Sequence, residues 1–137
     1  MAVLSTLLGL TADVLINGVA AHEYDDEDEI NIQHDDAAVR EYQAARTVSK
    51  YIKSVTGERF ILKFTVGPPL GHNGMVYTKL LFRIYIDGIF VWQTFCARPD
   101  FKKMTEWEDE IDGLKEGKGR ECTKKEFIFA AIETSSF

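Results

Sequence analysis

The stretch LLFRIYIDGIFVWQTFC, residues 80–96, decides the fold class. Two runs of aliphatic and aromatic residues flank Asp87-Gly88, and an Asp-Gly pair suits the type I′ turn, in which both central residues take positive φ. An antiparallel hairpin is therefore expected there. The same device recurs near the start of the chain, where Val14 and Ile16 alternate with Asp13 and Leu15 before Asn17-Gly18. Residues 19–24 are its expected return strand.

Between these hairpins, residues 47–55 and 59–66 are rich in β-branched and aromatic residues and are separated by Thr56-Gly57-Glu58, which predicts a third hairpin. In its second strand Phe60, Leu62, Phe64 and Val66 share one face, and Arg59, Ile61, Lys63 and Thr65 the other, so one side is built for a core. Residues 67–74, GPPLGHNG, are a loop, because proline lacks the ladder donor and glycine favours turns. Residues 36–46 are the expected helix, capped by Asp36, with alanines and the Val39/Tyr42 spacing in its favour. Farther on, Thr105, Trp107, Asp109 and Ile111 alternate, which predicts a strand over 104–111. Residues 113–119, with three glycines among lysines, are expected to be a loop, and residues 126–132 a closing strand.

Seven or eight short strands with one short helix predict an all-β fold, an antiparallel β-sandwich of jelly-roll type. The chain has 137 residues, one domain's worth. Residues 1–137 are accordingly expected to form one sandwich domain, with the acidic loop 25–36 and the helix 36–46 inserted. Its core is expected to use Val14, Ile16, Phe60, Leu62, Phe64, Leu80, Phe82, Ile84, Phe127 and Phe129.

The net charge of -6 conceals an asymmetry. Residues 1–36 carry nine acids and no Lys or Arg, whereas residues 37–103 carry 11 bases against four acids. Such a chain either offers its acidic arm to a basic partner or folds it over its own basic surface. With 45% hydrophobic and 28% charged residues, wholesale disorder is excluded. No apolar stretch approaches the roughly 20 residues of a membrane helix, so no membrane contact is expected. The apolar opening residues 1–12 lack the basic n-region of a signal peptide, and an intracellular address, cytoplasm or nucleus, is expected.

No residue pattern assigns a catalytic, cofactor-binding or metal-binding role. His22, His34 and His72 lie on separate segments without a second His or Cys at ligand spacing. Cys96 and Cys122 sit in no C-x-x-C motif; Cys96, at the end of a strand, is expected to pack in the core. Trp92 and Trp107 are expected to pack as core or sheet aromatics. The candidate site is the run Asp25, Asp26, Glu27, Asp28 and Glu29, whose mutual repulsion demands solvent or a cation and which suits a partner protein with a basic surface. Two rival classes stand beside this non-enzymatic interaction module. One is a small-ligand-binding protein or enzyme whose site assembles only in the fold. The other is a nucleic-acid binder using Arg40, Arg46, Lys50, Lys53, Arg59, Lys63 and Arg83 with Tyr42, Tyr51 and Phe64, against which the acidic tract competes with phosphate.

The segments LGLTADVLINGVAAHEYDDEDE (8–29), RTVSKYIKSVTGERFILKFTV (46–66), FRIYIDGIFV (82–91) and EFIFAAIET (126–134) together resemble an uncharacterised domain family found in fungal proteins. The shared pattern is an opening strand with Asn-Gly or Asp-Gly, the pair Glu23-Tyr24, an acidic run, and a Lys-Tyr-Ile strand ending at Gly57. The resemblance spans nearly the whole chain and is weakest over 97–121. It implies a fungal, intracellular β-rich module with no assigned activity or cofactor. Relative to the family's shorter link, helix 36–46 is an insertion.

Overall fold

A computed structural model describes residues 1–3 and 7–130. Strands dominate it, and every strand pair is antiparallel. The centre is β6 (Phe60–Val66), flanked by β2 (Leu10–Ile16) and β9 (Trp107–Ile111). Two short pieces, β1 (Ala2–Val3) and β3 (Val19–Ala20), pair with β2 and complete the largest sheet. Three two-stranded ribbons accompany it: β4 (Glu23–Asp25) with β5 (Lys50–Ile52), β7 (Lys79–Ile86) with β8 (Ile89–Ala97), and β10 (Gly113–Glu116) with β11 (Thr123–Glu126).

Both Xaa-Gly turns form as their chemistry dictates. Asn17 and Gly18 have φ of 53° and 75°, Asp87 and Gly88 of 51° and 76°, the mirror-image geometry that closes a two-residue hairpin. The expected helix forms as α1 (Ala37–Ala44), with the Asp36 carboxylate accepting from the Ala38 amide at 2.8 Å. The expected strand over 104–111 is present in its second half, as β9.

Three expectations are corrected. Residues 47–55 and 59–66 do not pair with each other: β5 pairs with β4, and β6 with β2 and β9. At residues 57–60 the neighbour is instead the chain's C-terminal part, with the Gly57 amide donating to Phe129 O at 2.8 Å and the Phe60 amide to Phe127 O at 3.0 Å. The return strand over 19–24 breaks after Ala20, and its second half leaves β2 to pair with β5. Residues 113–116 are a strand, because Gly113 leaves room for Lys125: a Cβ there lies 2.5 Å from the Lys125 carbonyl oxygen. Of the expected closing strand, residues 131 and 132 lie outside the described residues, and the ladder itself ends at Glu126.

The hairpin β7–β8 lays one face over β6 and β9. One cluster gathers Val66, Met75, Cys96 and Phe101, with Leu10, Leu70, Leu80, Phe82 and Trp107 packed on it. A second gathers Ile84, Ile111 and Phe127, with Phe60, Leu62, Phe64, Phe82, Ile86 and Val91. Phe82 belongs to both, stacked 5.7 Å from Phe64 and 5.7 Å from Trp107. Such ring pairs add about 0.5–1.5 kcal/mol each beyond the area they bury. Seven of the ten expected core residues fall in these clusters, and Phe129 lies 4.6 Å from the Phe60 ring. Val14 and Ile16 are half-buried on the same sheet face, outside both clusters. Cys96 is fully buried, as its strand position implies, and Trp107 packs on the core, whereas Trp92 is exposed.

Candidate interaction surface

The acidic run begins inside a strand. Asp25 is the last residue of β4 and stands opposite Lys50, whose Nζ forms an ion pair with its carboxylate. The next residue is held as well: Asp26 accepts from Ser49 Oγ at 2.6 Å and from the Asp28 amide at 3.0 Å. An aspartate bonded to the amide two residues on closes an Asx-turn, which bends the chain back and turns the following side chains outward. Glu27, Asp28 and Glu29 are exposed, and among the described residues none of them forms an ion pair.

The protonation states follow these contacts. Lys50, by hydrogen bond and by charge, holds the Asp25 carboxyl below its ordinary value. The Ser49 hydroxyl, followed by the Asp28 amide, lowers Asp26. The negative charge of Asp26 then pushes the Tyr51 phenol up. A lowered carboxyl pKa contributes structure above the ordinary aspartate range and loses it as pH falls through the lowered value. On carboxyl ¹³C NMR titration Asp25 is expected to titrate below the usual aspartate range, and in Lys50→Ala to return to it. An ordinary Asp25 titration in the wild type would show that the ion pair does not hold the ribbon.

Two aromatic side chains stand on the β4–β5 ribbon from which the acidic run leaves. Tyr24 and Tyr51 are cross-strand partners, so both leave the same side of the ribbon, and they are 53% and 54% exposed. Residue pattern alone missed this pair as a unit with the acids, since Tyr51 is brought to Asp26 only by a pairing between distant segments. Exposed phenol rings on the ribbon that carries the acidic run match the chemistry of a Lys or Arg side chain, which takes a carboxylate at its head and a ring face along its stem.

The other candidates fall elsewhere. His22 packs edge-on to Tyr24 at 4.7 Å, while His34 and His72 each accept a nearby backbone amide through Nδ1. Among the described residues no group of three or more His, Cys, Asp or Glu side chains is placed to hold a metal. Of the suggested nucleic-acid set, Lys50, Arg59 and Lys63 are paired with Asp25, Glu126 and Glu108, Arg46 stacks on Tyr42 at 3.6 Å, and Phe64 packs inward. A groove of about 470 Å³ runs between β8 and the β9–β10 corner. Its walls are partly self-satisfied: Thr94 Oγ1 donates to Asp109 at 2.6 Å and Lys124 pairs with Asp112 at 2.6 Å.

The model of a domain of unknown function, DUF7918, matches residues 9–136. The chain belongs to that family. No curated protein and no solved structure matches it. The DUF7918 match takes in β2 to β11, hence both the acidic ribbon and the β7–β8 hairpin. Among the described residues of this DUF7918 domain, no helix is long and apolar enough to cross a membrane.

Proposed function

We propose that this domain is a non-enzymatic protein-interaction module whose acidic tip, Glu27, Asp28 and Glu29, receives a basic surface of a partner protein. One observation carries the reading: Lys50 and Ser49 anchor Asp25 and Asp26, and among the described residues no cation pairs with the next three carboxylates. The root of the run is folded back on the domain and its tip is held out to solvent. Anchoring the root lowers the entropy that a partner must remove to order the tip. The same proposal takes residues 1–137 as one jelly-roll-like sandwich, with β7–β8 as the layer opposite β2, β6 and β9, supported by the Phe82 stacks. Two free thiols, Cys96 and Cys122, suit a cytoplasmic or nuclear address.

The test leaves the root intact. Glu27→Gln/Asp28→Asn/Glu29→Gln is expected to weaken binding of a Lys/Arg-rich peptide about tenfold, since three summed surface attractions are removed. Raising salt from about 0.05 M to 0.5 M should weaken the wild type similarly, as the screening length falls from about 14 Å to 4 Å. Equal binding by wild type and triple variant at both salt concentrations would refute the docking role of the tip.

A further inference from the structure

The outer face of the β7–β8 hairpin is unlike the face it lays on the sheet. Cross-strand partners Leu81 and Phe95 are 49% and 56% exposed, and Tyr85 and Phe90 are 58% and 49% exposed. The last two rings meet edge to face at 5.7 Å. Between these pairs lies Arg83, opposite Gln93, and beyond Phe95 lies Lys79, its Nζ 5.3 Å from that ring centroid. No carboxylate stands on this ladder before Asp87 in the turn, and among the described residues neither Lys79 nor Arg83 forms an ion pair. β7 is paired along one side only; among the described residues its other edge meets no strand.

We propose that β7 accepts an extended segment of a partner protein as an added antiparallel strand, one that sets acidic side chains beside Lys79 and Arg83 and apolar ones beside Leu81 and Tyr85. Contiguous exposed apolar surface on a soluble domain marks an interaction site, and an unpaired strand edge supplies a ready row of backbone donors and acceptors. Alternate residues of an added strand face the same way, so the order Lys79, Leu81, Arg83, Tyr85 dictates a partner pattern of acid and apolar residue at every second position. Charge selects the occupant. A second copy adding its own β7 offers Lys79 and Arg83 no carboxylate within the strand, whereas acidic residues of a partner are complementary to both. The inference rests on the hairpin alone and does not require the acidic tip to bind anything.

The probe is a fluorescein-labelled peptide Glu-Thr-Val-Thr-Glu-Thr-Val-Thr, titrated with the full chain and followed by anisotropy, with a second peptide carrying Lys for Glu. Saturable binding of the acidic peptide is expected at about 10–100 µM, typical of a short added strand. Lys79→Glu/Arg83→Glu should lose about tenfold for the acidic peptide and gain for the basic one, and Leu81→Ser/Tyr85→Ser should weaken both. All four side chains are exposed, so the melting midpoint should stay put and separate lost binding from lost folding. The proposal is overturned if the acidic peptide fails to saturate by about 1 mM, or if the charge-reversed chain keeps the same preference. It is overturned too if sedimentation shows a dimer that the same substitutions dissolve, for then the second copy is the occupant.

Discussion

Leu62→Asp is expected to abolish folding. Leu62 lies at the middle of β6, with Val14 of β2 on one side and Ile111 of β9 on the other, and it packs on the cluster built by Ile84, Ile111 and Phe127. Both lateral positions are filled by apolar side chains and the third side by Ile84 and Val91 of the hairpin, so a carboxylate at this half-buried position gives up much of its water and replaces apolar packing. Burying an unpaired carboxylate costs several kcal/mol, comparable to the roughly 5–15 kcal/mol that holds a domain together. Far-UV circular dichroism and size-exclusion chromatography are the checks, and the expected outcome is loss of the β spectrum with an expanded or aggregated chain. A cooperative transition near the wild-type midpoint would mean that this face of β6 looks outward. Lys63, one residue on, is the internal control: its face carries the 3.3 Å pair with Glu108, and Lys63→Ala should cost about 0–1 kcal/mol.

Phe82→Ala should cost about 3–5 kcal/mol, the usual range for removing a packed phenylalanine. The ring packs in both apolar clusters and stacks on Phe64 of β6 and Trp107 of β9, so its removal opens a void where the two clusters meet. Urea unfolding is the measurement, with a lowered midpoint and an unchanged slope expected. Tyr85→Ala, on the opposite face of the same strand, should shift stability by no more than about 0.5 kcal/mol, as exposed substitutions do. If the two variants unfold alike, Phe82 is not the joint between the layers.

What could be foreseen from the residues divides along the distance between partners. Asn17-Gly18 and Asp87-Gly88 encode their geometry within four residues, Asp36 caps its own helix, and residues 60–66 show their buried face by alternation alone. Thr56-Gly57-Glu58 carries similar turn chemistry and joins no hairpin, because the amides of Gly57 and Phe60 are taken by the carbonyls of Phe129 and Phe127. Strand-forming composition specifies a strand and not its neighbour. The candidate site shows the same division: five adjacent acids are plain in the sequence, but Ser49, Lys50 and Tyr51, which decide which of those acids are engaged, are brought to them by the β4–β5 pairing. Lysines and glycines disguised β10, whose ladder with β11 places Lys124 and Lys125 within reach of Asp112 and Glu116.

The contrast between near and far pairing also bears on the order of assembly. β7 and β8 are joined by a two-residue turn, and hairpins of that kind close in about 1–10 µs. The main sheet must bring Leu10 to Val66 and Leu62 to Ile111, closing long loops before any contact repays their entropy. The hairpin thus closes sooner than the sheet that becomes its floor, and until the two meet its apolar side chains are bare on both faces. One face finds Phe64 and Trp107 as the sheet arrives; the other is still bare when folding ends. During synthesis, residues 79–97 emerge after β6 and before β9, so for that interval the face that ends on Phe64 and Trp107 has only the first of them within reach.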